Sequence, residues 1–169
     1  PEHGHVDVEI PLERWYRPQE QNWYPGNTHI HYDEKETQPD RRLGIDCSVE
    51  GYNVTCVSVL DRRQLPYASN KYPIGVMNEF KTAHHVLDIG EENRHYGDNS
   101  PWGFGYGHVM FMNIRNLIQP VSRGHTLTAQ FDPDYPPLCF CCDEARDQGG
   151  IVIWCHNGRG MEAPIAAVL

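Results

Sequence analysis

Val54-Thr55-Cys56-Val57-Ser58-Val59-Leu60-Asp61 is a run of β-branched and apolar residues that does not alternate cleanly with polar ones and ends on a carboxylate. A strand of that composition is buried on both faces, as strands are in a parallel sheet covered by helices. Four further stretches share this character: Thr28–His31, Val86–Ile89, Val109–Ile114 and Ile151–Cys155. Between and after them, Asp40–Glu50, Asp143–Gln148 and Met161–Leu169 have weaker helical character. Gly51 and Gly149-Gly150 stand where helices commonly stop before a strand begins. The alternation predicts an α/β fold on a parallel sheet or barrel.

At 169 residues the chain is long enough for one domain with a real core. No apolar run approaches the ~20 residues of a membrane span. The net charge of −9, from 14 Lys+Arg against 23 Asp+Glu, leaves no broad basic face for nucleic acid, whereas ten histidines suit cations. Residues 1–18, with the alternating run His5-Val6-Asp7-Val8-Glu9-Ile10, read as a lead-in, either an edge strand or the tail of a preceding domain, and 19–169 as the main unit. The opening Pro1-Glu2-His3-Gly4-His5 lacks the basic start and apolar stretch of a secretory signal, which leaves the compartment open. Asn93–Gly107 and Ser122–Pro137, rich in Gly, Pro and polar residues, read as loops.

In Gly26-Asn27-Thr28-His29-Ile30-His31, strand geometry aims both imidazoles to the same side, where together they can hold one cation. Other ligand types fall at the ends of the apolar runs: Asp61 after Val54–Leu60, Glu91 and Glu92 after Val86–Gly90, His156 after Ile151–Cys155. In α/β sheets the loops beyond the carboxyl ends of the strands build the site, so these residues would converge on one rim. His108 begins its run instead of ending it, which requires an antiparallel or inserted strand there.

Gly26–His31 resembles the opening His-x-His motif of the PHP (polymerase and histidinol phosphatase) superfamily. Gly90-Glu91-Glu92, Gly107-His108-Val109 and Gly149–Asn157 resemble its later motifs in order, particularly those of the CehA/McbA-type (carbaryl-hydrolase-like) metallohydrolases. The resemblance covers Trp23 to His156. It implies a distorted (βα)7 barrel, of which this chain would be about the first half, completed by a further segment, a second chain or another copy. It further implies that His29 and His31 are ligands of one metal, that Glu92 is shared between metals, and that His108 and His156 hold a neighbouring one. Ser58-Val59-Leu60-Asp61 stands where typical members have Thr-Asp-His, so only Asp61 would serve there.

Imidazole with carboxylate suits divalent zinc, manganese or iron, zinc being the default for a His-rich set. Such an ion would activate water against a small-molecule ester, carbamate or phosphoester. Glu92 and Asp61 are the acidic residues placed in the reaction, while Arg94 and Arg159, with His95, read either as groups that steady an oxyanion or as solvated loop residues. Glu91 reads either as an acceptor behind a ligand histidine or as a solvated turn residue, and Asp33 as a turn former. Trp23 and Trp154 read as packing residues, and Ser100–Gly107, with Trp102, Phe104 and Tyr106 between glycines, either as a lid over a ligand or as a plain flexible strip. The six cysteines read as reduced, unlinked thiols, and the competing functions are the hydrolase, a non-catalytic metal- or partner-binding remnant of that fold, and a structural zinc module on Cys139-Phe140-Cys141-Cys142. His3, His5, His84 and His85 lie off the rim.

Overall fold

The computed structural model describes residues 4, 6–59, 68–95, 107–118 and 138–155, with 94, 95 and 107 described by their backbone alone. Its elements run β1 (Gly26–Ile30), α1 (Pro39–Val49), β2 (Val54–Val59), β3 (Gly75–Val76), β4 (Val86–His95), β5 (Gly107–Met112), α2 (Leu138–Asp147) and β6 (Ile151–Trp154). Each of the five apolar runs forms a strand. Pro39 opens α1 with its φ already helical, and Gly51 and Gly149 follow the two helices at φ +72° and +84°, the left-handed region that glycine enters without a Cβ penalty.

Several boundaries differ from the sequence expectation. Asn93–His95 and Gly107 belong to strands instead of a loop, because β4 runs on to pair with β5. Helix α2 starts at Leu138, since the cysteine cluster supplies its buried stripe of Leu138, Cys141, Cys142 and Ala145. Among the described residues of the lead-in there is no strand, and Val6, Val8, Ile10 and Leu12 are all at least 71% exposed. Ser122–Pro137 and Met161–Leu169 lie outside the described residues. No described helix is long and apolar enough to cross a membrane.

The sheet is mixed, not parallel throughout, with strand order β1-β2-β4-β5-β6 and β3 also on β4. β1, β2 and β4 are parallel, linked by crossovers; β5 runs antiparallel to β4, and β6 antiparallel to β5. Antiparallel neighbours need no crossover helix, and the Gly- and aromatic-rich stretch between β4 and β5 carries no helical pattern. The reversal is what His108 at the start of its run requires.

Registers sort the side chains onto two faces. Val57, Val59, Leu87 and Ile89 pack with Leu43 and Cys47 of α1, while Val109 and Phe111 pack with Leu138, Cys141, Cys142 and Ala145 of α2. Both helices therefore lie on the same outer face. Cys56, Ser58, Asp88, Gly90, Glu92, His108 and Met110 alternate with these and face inward. In a flat sheet β1 and β5 would stand about 14 Å apart, at ~4.8 Å per strand. Their Cα atoms instead come within 8 Å, so the sheet curls like half a barrel around that inner face. Among the described residues the outer edges of β1 and β6 carry no further strand, and the curl does not close.

Gly90 sits where β5 joins β4. A Cβ there would run into the Phe111 carbonyl oxygen and lie 3.1 Å from Cys56 Sγ. Gly90→Ala must push β5 away, and is expected to cost about 2–3 kcal/mol of unfolding free energy, read by chemical denaturation. A variant of wild-type stability would mean that β5 does not need this close approach.

Candidate metal centre

β1 places the two histidines through an irregularity. Gly26 pairs with Val54 and Asn27 with Thr55, but Ile30 pairs with Val57, so β1 carries one extra residue between Asn27 and Ile30. In unbroken register His29 would stand opposite Val57, on the helix-covered face. The shift turns Ile30 to that face and His29 and His31 inward.

Inside, the two Nε2 atoms lie 3.2 Å apart, with the rings crossed at 83°. His31 Nδ1 is 3.1 Å from the Ser58 carbonyl oxygen. A carbonyl only accepts, so Nδ1–H donates to it and Nε2 is the nitrogen directed inward. Glu92, fully buried on β4, presents Oε2 at 2.6 Å from His31 Nε2 and 3.5 Å from His29 Nε2. Its Oε1 lies 2.8 Å from His108 Nδ1, across the β4–β5 pair.

Ligands about 2.1 Å from a tetrahedral ion are roughly 3.4 Å from one another. Two of the spacings, 3.2 and 3.5 Å, match that edge and the third, 2.6 Å, is shorter, the length of a hydrogen bond; His29, His31 and Glu92 are the one group among the described residues whose ligand atoms cluster tightly enough to hold an ion. His108 extends the group through the second carboxylate oxygen.

Of the residues expected at the site, the fold thus brings together His29, His31, Glu92 and His108. Arg94 pairs with His108 across the strands by backbone. Asp61, His156 and Arg159, with Trp102, Phe104 and Tyr106 of the expected lid, lie outside the described residues. The backbone leading to two of them is at this rim: Ser58 touches His31, and the Cys155 N–H donates to the His108 carbonyl at 3.1 Å.

Glu91 is no solvated turn residue. It is fully buried on the outer face, turned away from Glu92 as strand geometry requires, and its Oε2 accepts the Ile118 N–H at 2.8 Å. Asp33 forms a turn, accepting the Lys35 N–H at 2.9 Å. Trp23 does not pack in the core but is 70% exposed, because it follows the short helical turn Pro18–Gln21 ahead of an edge strand; Trp154 packs beneath α2. His85 is buried at the opposite end of β2, 3.1 Å from Thr55 Oγ1. The Ser58 carbonyl that holds His31 leaves no residue signature in a sequence, whereas an Asn two residues before His29 is a legible turn signal.

Compared with family models, curated proteins and solved structures, the chain matches none.

All six cysteines are free thiols, and among the described residues none joins a metal-sized cluster. Burial pushes the Cys141 thiol up to about 12, aided by the Glu91 charge, and Cys142 up to about 11. Since the thiolate is the reactive form, both should be alkylated by iodoacetamide at pH 8 at least about a hundredfold more slowly in the folded protein than in denaturant. Mass-spectrometric labelling reads this, and fast native labelling at either site would contradict the burial.

Proposed function

We propose that the chain carries the metal centre of a metal-dependent hydrolase resembling the CehA/McbA branch of the PHP superfamily, in a distorted (βα)7 barrel that a further segment, a second chain or another copy completes. The observation that carries this reading is the Ser58 carbonyl on His31 Nδ1, which turns Nε2 toward a buried carboxylate 2.6 Å away, with His29 Nε2 beside it. Two such atoms held that close share a proton or a metal ion, and a second imidazole pointing to the same place favours the ion.

In this reading His29 and His31 hold one divalent ion, zinc by preference and manganese or iron as substitutes, with Glu92 shared toward His108 and a neighbouring ion. When bound, the metal supplies a water of lowered pKa and a Lewis acid for an ester, carbamate or phosphoester oxygen. The chain's own residues do the rest. Ser58 fixes the ring of His31, Glu92 couples the β1 histidines to β5, and the inward-facing Cys56, Ser58 and Met110 wall the space beneath. Asp61, His156, Arg94 and Arg159 are the residues assigned to complete the ligand set and steady the oxyanion. The open edges of β1 and β6 are where completing strands would pair.

The purified chain is expected to bind stoichiometric zinc or manganese, and His31→Ala and Glu92→Gln to lose it, as read by elemental analysis after dialysis. Loss through Cys139→Ser/Cys142→Ser instead would overturn the site in favour of a thiolate zinc module. Stoichiometric metal with no turnover of p-nitrophenyl esters, carbamates or phosphoesters by the completed protein would replace the hydrolase with a non-catalytic metal-binding remnant.

A further inference from the structure

We propose that Asn27 is a positioning residue of the metal centre, holding the extra residue of β1 that turns His29 and His31 inward. The inference rests on the reading above that these histidines hold a cation. The Asn27 Oδ1 accepts the His29 backbone N–H at 3.0 Å, across two residues. This is the Asx arrangement, in which a side chain takes over a backbone donor that a regular ladder would otherwise use. It spans the place where β1 slips against β2, between the Asn27–Thr55 and Ile30–Val57 pairs.

The slip has a cost that something must offset. An extra residue in one strand leaves backbone groups out of the ladder, and in the regular register His29 and His31 would face the α1 side while Ile30 turned inward. Asn27 gives the His29 N–H a partner at the point of disruption and so favours the shifted register. Gly26 prepares the same geometry, because a Cβ there would stand 2.9 Å from the Val54 carbonyl oxygen and hold β1 off β2 just before the shift. Asn27 itself is only half-buried and packs in neither core cluster, so removing its acceptor acts on the placement of the histidines before it acts on the fold.

The test measures zinc affinity by competition with a chromophoric chelator, together with the thermal midpoint of the metal-free protein. Asn27→Ala is expected to weaken zinc binding about tenfold to a hundredfold, the usual effect of losing a group that orients a ligand, with the metal-free midpoint little changed. Asn27→Asp and the uncharged Asn27→Ser, which both keep an acceptor oxygen, should recover most of the affinity. His29→Ala serves as the reference. Wild-type affinity in Asn27→Ala, with zinc lost in His29→Ala, would overturn the role of Asn27 and leave the metal site standing. A parallel fall of affinity and midpoint that neither Asp nor Ser restores would make Asn27 a structural residue only. Unchanged zinc binding in His29→Ala would overturn the metal site itself, and this inference with it.

Discussion

A fully buried carboxylate on β4 governs the inner face of this sheet. An ionised Glu92 taken out of water costs several kcal/mol unless its oxygens are met by donors or by positive charge. Three imidazoles from two other segments meet it, at 2.6, 2.8 and 3.5 Å. Each demands something of the backbone. The register shift in β1 supplies His29 and His31, the Ser58 carbonyl fixes which nitrogen of His31 faces inward, and the antiparallel β5 delivers His108. Gly90 belongs to the same requirement, since only a residue without Cβ lets β5 come close enough for His108 to reach.

Glu91 and Glu92 show how period-2 geometry divides labour between adjacent acids. Glu92 faces inward to the histidines. Glu91 faces the α2 layer and captures the Ile118 N–H, pinning the segment that follows β5 over the second core cluster. A buried charge inside an apolar layer is expensive, and its presence raises the Cys141 thiol further. One strand thus anchors the site on one face and the covering layer on the other.

The strands were legible in the sequence because residues buried on both faces need apolar runs, and β2 and β4 have no exposed side to encode. The direction of β5 was legible only through His108, whose position at the start of its run makes sense if the strand is reversed. The start of α2 was not, because Cys139-Phe140-Cys141-Cys142 has no strong helical preference and is held by packing against β5 and β6. The convergence of His29, His31, Glu92 and His108 could be anticipated in the sequence, but Glu92 was expected beyond the end of its strand and lies within β4, which runs on to His95. The register slip that makes it work could not be, since it depends on which residues of β1 pair with β2.

Whether a proton or a metal ion balances Glu92 is a question of how many atoms must share one positive charge. A proton on His31 Nε2 would satisfy the 2.6 Å contact to Glu92 Oε2, but a proton serves one donor and one acceptor. It would do nothing for His29 Nε2, which lies 3.2 Å from the same nitrogen and 3.5 Å from the same oxygen. A second proton, on His29 Nε2, could reach Oε2 only over that longer distance, at the limit of hydrogen bonding, and would set two N–H donors facing each other. An ion with bonds of about 2.1 Å engages all three atoms from a single point between them, and does so without requiring either imidazole to be charged. The three-atom arrangement is therefore better matched to a cation that coordinates than to a single hydrogen bond.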